Sequence, residues 1–149
     1  VVESHYRSAR EAVEARTQIG LHFADAPARC VSDLRLRATS DGEGRVRAVS
    51  VLAEAARVLA LRPEVGEGVH AFEVRARTPD GATQILLFVK DVLREWPTPY
   101  ILKTPASLPR GTVLQATAYF PPSGTTSAAP RFEVTVSRDV ESGCGSPTE

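Results

Sequence analysis

A two-residue rhythm of apolar and polar side chains constrains the fold of this chain more than any other feature. In residues 70–77, Phe72, Val74 and Ala76 alternate with Glu73, Arg75 and Arg77. Phe132, Val134 and Val136 repeat the pattern late in the chain, and Ile19, Leu21 and Phe23 early in it. Successive side chains of a strand point to opposite faces, so this alternation describes strands with one face on a core and the other in water. Residues 31–37 read the same way, and the run 83–89 is apolar enough for a buried strand. Between 70–77 and 83–89, Pro79-Asp80-Gly81 combines a fixed φ with a residue that tolerates φ > 0, which predicts a hairpin. Leu108-Pro109-Arg110-Gly111-Thr112 is a second turn, feeding a β-branched and aromatic run over 113–120. Trp96-Pro97-Thr98-Pro99-Tyr100 is too rich in proline for anything but a loop or sheet edge. Residues 121–130 read as a small-residue linker and 141–149 as a flexible tail.

One stretch breaks the rhythm. In residues 46–61, Val49, Leu52, Ala53, Ala56 and Ala60 fall at helical spacing, and alanine and glutamate favour helix. The same stretch also reads as two strands, 45–52 and 57–61, around a turn at Ala53-Glu54-Ala55. Residues 8–16 carry a similar helical tint. About nine short strands without βαβ alternation predict an all-β fold, an antiparallel β-sandwich of jelly-roll-like form spanning residues 1–140.

Charge excludes some functions. Lys plus Arg and Asp plus Glu are 18 each, so the chain lacks the basic excess that drives nucleic-acid binding. No apolar run approaches the roughly 18 residues of a membrane-spanning helix. Methionine is absent, which predicts a cleaved precursor or a fragment of a longer protein. Cys30 and Cys144 are either two thiols or one disulfide; closing so long a loop would contribute roughly 4 to 5 kcal/mol in the chain-entropy model. Neither lies in a CxxC or CxxCH arrangement.

Few side chains offer chemistry. His5, His22 and His70 are the only imidazoles. None of them has a second ligand close in sequence. Cys144 lacks a neighbouring base, Asp80 belongs to a turn, and Gly66-Glu67-Gly68 opens no helix and so cradles no phosphate. Arg62, Arg75, Arg77, Arg94 and Arg110 with Trp96, Tyr100 and Tyr119 form either a recognition surface or an ordinary solvated sheet face. Arg94, Trp96, Tyr100 and Tyr119 are its central candidates.

The order of these small motifs resembles the C-terminal domain of the copper type II, ascorbate-dependent monooxygenases, the peptidylglycine and dopamine hydroxylases. The resemblance covers roughly residues 1–123. It runs through His5-Tyr6, Thr17-Gln18-Ile19-Gly20-Leu21-His22-Phe23-Ala24, and Leu59-Ala60-Leu61-Arg62-Pro63-Glu64-Val65-Gly66. It continues through Pro79-Asp80-Gly81, Trp96, Tyr100, Leu108-Pro109-Arg110-Gly111-Thr112 and the strand that follows. It implies that residues 46–61 are two strands around a turn. It also implies export, and in an oxidising compartment Cys30 and Cys144 are free to pair.

The departures from the family bear on function. The family's oxygen-activating copper is held by a His-x-His pair and a thioether, ligands suited to copper in both oxidation states. The matching positions here are Glu64 and Gly66, and no methionine exists to supply sulfur. His5 matches one ligand of the family's other copper, and His70 lies just past the lost pair as a shifted ligand, so the resemblance makes these two the candidate metal ligands. The resemblance therefore implies a retained fold with a lost site and no cofactor. The expected role is a non-catalytic binding or structural module of a larger extracytoplasmic protein, whose partners are other domains or another protein. The alternative is an oxidoreductase domain whose copper site is completed by a missing domain or partner chain. A small-ligand pocket between the sheets is a third possibility.

Overall fold

A computed structural model describes Glu14, Arg16 and residues 18–21, 31–40, 45–92, 98–120 and 132–140. Nine strands lie within them: β1 (Val31–Arg37), β2 (Thr39–Ser40), β3 (Arg45–Val51), β4 (Ala56–Val65), β5 (Ala71–Arg77), β6 (Thr83–Lys90), β7 (Tyr100–Leu108), β8 (Val113–Tyr119) and β9 (Phe132–Val140). No helix occurs among the described residues. The strands form two antiparallel sheets, sheet A in the order β1-β9-β4-β7 and sheet B in the order β2-β3-β8-β5-β6. Leaving aside the two-residue β2, outermost pairs with outermost and innermost with innermost: β1 with β9, β3 with β8, β4 with β7, β5 with β6. A long hairpin wrapped on itself gives these pairings, which define the jelly-roll form of the antiparallel sandwich.

Alternation decides which side of each strand faces the other sheet. Phe72, Val74 and Ala76 of β5, Leu114, Ala116 and Ala118 of β8, and Val46 and Ala48 of β3 point inward from sheet B. They meet Leu36 of β1, Phe132, Val134 and Val136 of β9, and Val58 and Leu61 of β4 from sheet A. The alanines of sheet B leave room for the larger side chains opposite, the size alternation that fills a sandwich without voids.

Residues 46–61 are strand, turn and strand. β3 ends at Val51, bends occupy Ala53 and Glu54, and β4 starts at Ala56. Long-range pairing outweighs local helix propensity here, because β3 lies along β8 and β4 lies between β9 and β7. β4 also runs past Pro63 to Val65. Beyond Leu61 it pairs only with β9, so proline's missing N–H costs no ladder bond on the β7 side.

The turns keep their predicted chemistry. Gly81 has φ 91° in the β5–β6 hairpin, where its N–H donates to the Thr78 carbonyl at 2.9 Å. Gly111 has φ 82° in the β7–β8 turn and donates to the Leu52 carbonyl at 2.8 Å.

Two strand expectations need correction. The run 83–89 is not buried: β6 is the edge of sheet B, and Ile85 and Phe88 are 56% and 51% exposed. A bulge supplies the reason. Val74 pairs with Leu87 but Arg75 pairs with Ile85, so Leu86 is an extra residue. That insertion inverts parity and puts Ile85 and Phe88, three apart, on the same outward face. The early alternation also fails, for residues 18–21 form no strand and Ile19 and Leu21 are exposed. Alternating apolar positions do not by themselves make a strand, which also needs a neighbour to pair with. His22, Phe23, the 121–130 linker and the 141–149 tail lie outside the described residues.

Candidate functional site

Registers place the predicted ligand positions far from any metal geometry. Glu64 is exposed on the outer side of β4, cross-strand from another carboxylate, Glu133. Gly66 begins the turn that carries the chain from sheet A to sheet B. His70 closes the β5–β6 hairpin: its carbonyl accepts from the Asp91 N–H at 3.0 Å, and its own N–H donates to the Tyr119 carbonyl at 2.9 Å. The imidazole is 58% exposed, with Nδ1 at 3.8 Å from the Asp91 carboxylate. No group of three His, Cys, Asp or Glu side chains converges among the described residues. Glu64, Gly66 and His70 therefore do not fit a copper centre of the resembled kind. His5, Cys30, Cys144, Arg94 and Trp96 lie outside the described residues.

The remaining candidates of the recognition surface separate. Tyr100, on edge strand β7, packs edge-on against Phe72 with ring centroids 6.5 Å apart. Arg62 points outward from sheet A, and Arg110 sits in the β7–β8 turn. Arg75, Arg77 and Tyr119 do share the outer face of sheet B, where Arg75 and Tyr119 both contact Glu73 and Arg77 lies farther along.

The two outer faces differ in charge. On sheet A, acids answer bases across the strands. Glu133 lies 3.2 Å from Arg37 and 3.9 Å from Arg35, Asp139 lies 3.4 Å from Arg57, and Asp33 accepts from the Ser137 hydroxyl at 2.7 Å. The outer face of sheet B is ordered by register into rows. One row is Arg45, Tyr119, Ala71, Lys90; the next is Arg47, Thr117, Glu73, Phe88. A third is Val49, Gln115, Arg75, Ile85, and the last is Val51, Val113, Arg77, Thr83. Among these sixteen positions stand four arginines and Lys90, and Glu73 is the one acid. The zero net charge of the chain conceals this asymmetry.

Glu73 organises the face. It is 5% exposed although it points away from the core. One carboxylate oxygen accepts from the Tyr119 hydroxyl at 2.7 Å, and the other pairs with Arg75 Nη2 at 2.8 Å. A carboxylate so buried requires such partners. Burial raises the Tyr119 phenol above its ordinary value; the hydrogen bond to Glu73 and that residue's charge add to the rise, and Arg75 and Arg45 oppose it. With the folded value above the unfolded one, Tyr119 contributes stability fully below about pH 10 and loses it as pH climbs through the raised value. Alkaline difference spectroscopy should find that Tyr119 ionises later than a free tyrosine, with Tyr119→Phe identifying the signal. Glu73→Gln should move that step back down; an unchanged step would refute the coupling.

Beside this network a cleft of about 260 Å³ opens between Arg75, Arg77, Thr83, Val113 and Gln115. The Arg77 side chain makes no ion pair or hydrogen bond with any described residue. A larger cleft, about 330 Å³, lies on sheet A over the Arg57–Asp139 pair, beside Ser107 and Pro109. Its single guanidinium is already neutralised by Asp139, so size and charge favour different clefts, and charge is the better guide to a polar ligand. Alternation alone puts Glu73, Arg75 and Arg77 on one face. That Tyr119 and Gln115 join them depends on the β5–β8 register, a pairing between distant segments that local sequence does not display. No family model matches the chain, and no curated protein matches it either.

Proposed function

We propose that this chain is a non-catalytic binding module of a larger extracytoplasmic protein, a jelly-roll sandwich of the copper monooxygenase type whose metal ligands have been replaced. One observation carries the binding role. The outer face of sheet B sets Arg47, Arg75 and Arg77 beside the exposed Ile85 and Phe88 of an edge strand, a combination of apolar and cationic groups enriched where proteins meet partners. The jelly-roll connectivity is compatible with the resemblance, and the replacement of the His-x-His pair by Glu64 and Gly66 supports loss of the chemistry.

One preparation tests both halves of the proposal. After copper loading and exhaustive dialysis, metal analysis should find well under one equivalent. One tightly held copper, lost on His70→Ala or His5→Ala, would restore the oxidoreductase alternative. Restoring imidazoles with Glu64→His and Gly66→His should recover affinity only in part, because no thioether is available. For the extracytoplasmic half, the same protein unfolded without reductant should show no titratable thiol at Cys30 or Cys144. Two free thiols would count against export.

A further inference from the structure

We propose that the cleft between Arg75 and Arg77 on the outer face of sheet B binds an oxyanion: the phosphate, sulfate or carboxylate group of a small, multiply charged ligand. The proposal names the ligand class of the binding face and rests on the binding-module reading for its biological sense, though its geometry stands apart from the copper question.

Every polar group around the cleft has donors to give. Each guanidinium carries five N–H donors and no acceptor. Arg75 is held in place by its 2.8 Å contact with Glu73, which the Tyr119 hydroxyl fixes from the other side. Among the described residues its remaining N–H groups have no side-chain partner and can meet a ligand. Gln115 donates one amide hydrogen to the Thr117 hydroxyl at 3.3 Å and keeps a second, and Thr83 adds a hydroxyl at the rim. An oxyanion, which only accepts, complements such a set, and the planar fork of arginine matches its oxygens two at a time.

Among the described residues, no carboxylate pairs with Arg77 where the ligand would sit. Glu73 spends both oxygens on Tyr119 and Arg75. The cross-strand neighbours of Arg77 in its row are Val51, Val113 and Thr83, none of them acidic. The sheet A cleft differs on this point, since its arginine faces Asp139 at 3.4 Å. Both arginines project from β5, which is flanked by β8 and β6 on its two sides, so the donors are mounted on paired strands rather than on a loop. The volume of about 260 Å³ lies near the small end of ligand sites, which suits a compact anion and not a bulky apolar one.

The test is a titration of the whole chain at low ionic strength with inorganic phosphate, sulfate and citrate, followed by calorimetry and by backbone amide shifts. Saturable binding should perturb residues 75–77 and 113–115. Arg77→Gln should weaken it about tenfold. Arg57→Gln, in the other cleft, should leave it unchanged, and circular dichroism should confirm that both variants fold. Phosphate and sulfate binding without citrate would assign a tetrahedral oxyanion, and citrate alone would assign a carboxylate ligand; either supports the site. No saturable binding of any of the three would overturn it, as would shifts scattered over all arginines or an affinity that Arg77→Gln leaves intact. Copper uptake would defeat the module reading without touching this titration, so the two failures are distinguishable.

Discussion

Replacing Phe72 with alanine is expected to destabilise the domain by about 3 to 5 kcal/mol, the cost of removing a fully buried aromatic ring. Phe72 is wholly inaccessible on β5 of sheet B. Its ring meets Phe132 of β9 at 5.7 Å and the edge of Tyr100 of β7 at 6.5 Å, both on sheet A. The side chain therefore joins the sheets, and its loss opens a void lined from both sides. Proteins of this size are stable by about 5 to 15 kcal/mol, so the substitution removes a large fraction of the margin. Urea denaturation should show a lower midpoint at an unchanged slope. Phe72→Leu, which keeps most of the volume, should cost appreciably less. Equal midpoints for the alanine variant and the parent would show that the ring does not bridge the sheets.

Val46→Asp is expected to prevent folding outright, whereas Val49→Thr should change stability by no more than about 0.5 kcal/mol. The two valines are three residues apart on β3. Val46 is 1% exposed and belongs to the core cluster, so an aspartate there would be a buried group without a partner. Val49 is 57% exposed on the outer face, and threonine retains its β-branched shape. A helix over 46–61 would remove the contrast, since Val46 and Val49 lie three residues apart on one apolar stripe and both substitutions would then be costly. Circular dichroism and denaturation of the pair decide between these arrangements. A soluble, cooperatively folding Val46→Asp protein would contradict the sandwich packing.

Those two residues show how far local pattern reaches. β1, β5 and β9 were legible because alternation over several residues has one structural meaning, and the turn at Pro79-Asp80-Gly81 because only certain residues tolerate its backbone. Residues 46–61 were ambiguous because alanine and glutamate favour helix wherever packing does not intervene, and the packing partner β8 is remote in sequence. The burial of β6 was misread for a different reason. A continuous apolar run carries no face information, and a single inserted residue, Leu86, decides which side chains meet water. The candidate site was half legible. Arg75 and Arg77 stand out from alternation, but the supporting Glu73–Tyr119 contact exists only once β5 and β8 are in register.

The position of β9 has a consequence for how the protein is made. All the strands of sheet B lie before residue 120, so that sheet can be completed as soon as β8 has been synthesised. Sheet A cannot. Its β1 and β4 are not neighbours, and the strand that separates and pairs with both is β9, the last in chain order. On a ribosome adding about 5 to 20 residues per second, the apolar side of β1 waits until Phe132–Val140 emerges. Such distant pairing places the fold among the slower antiparallel topologies. Throughout that interval the inner face of sheet B stands half covered, so the nascent chain most needs protection from aggregation just before its final strand arrives.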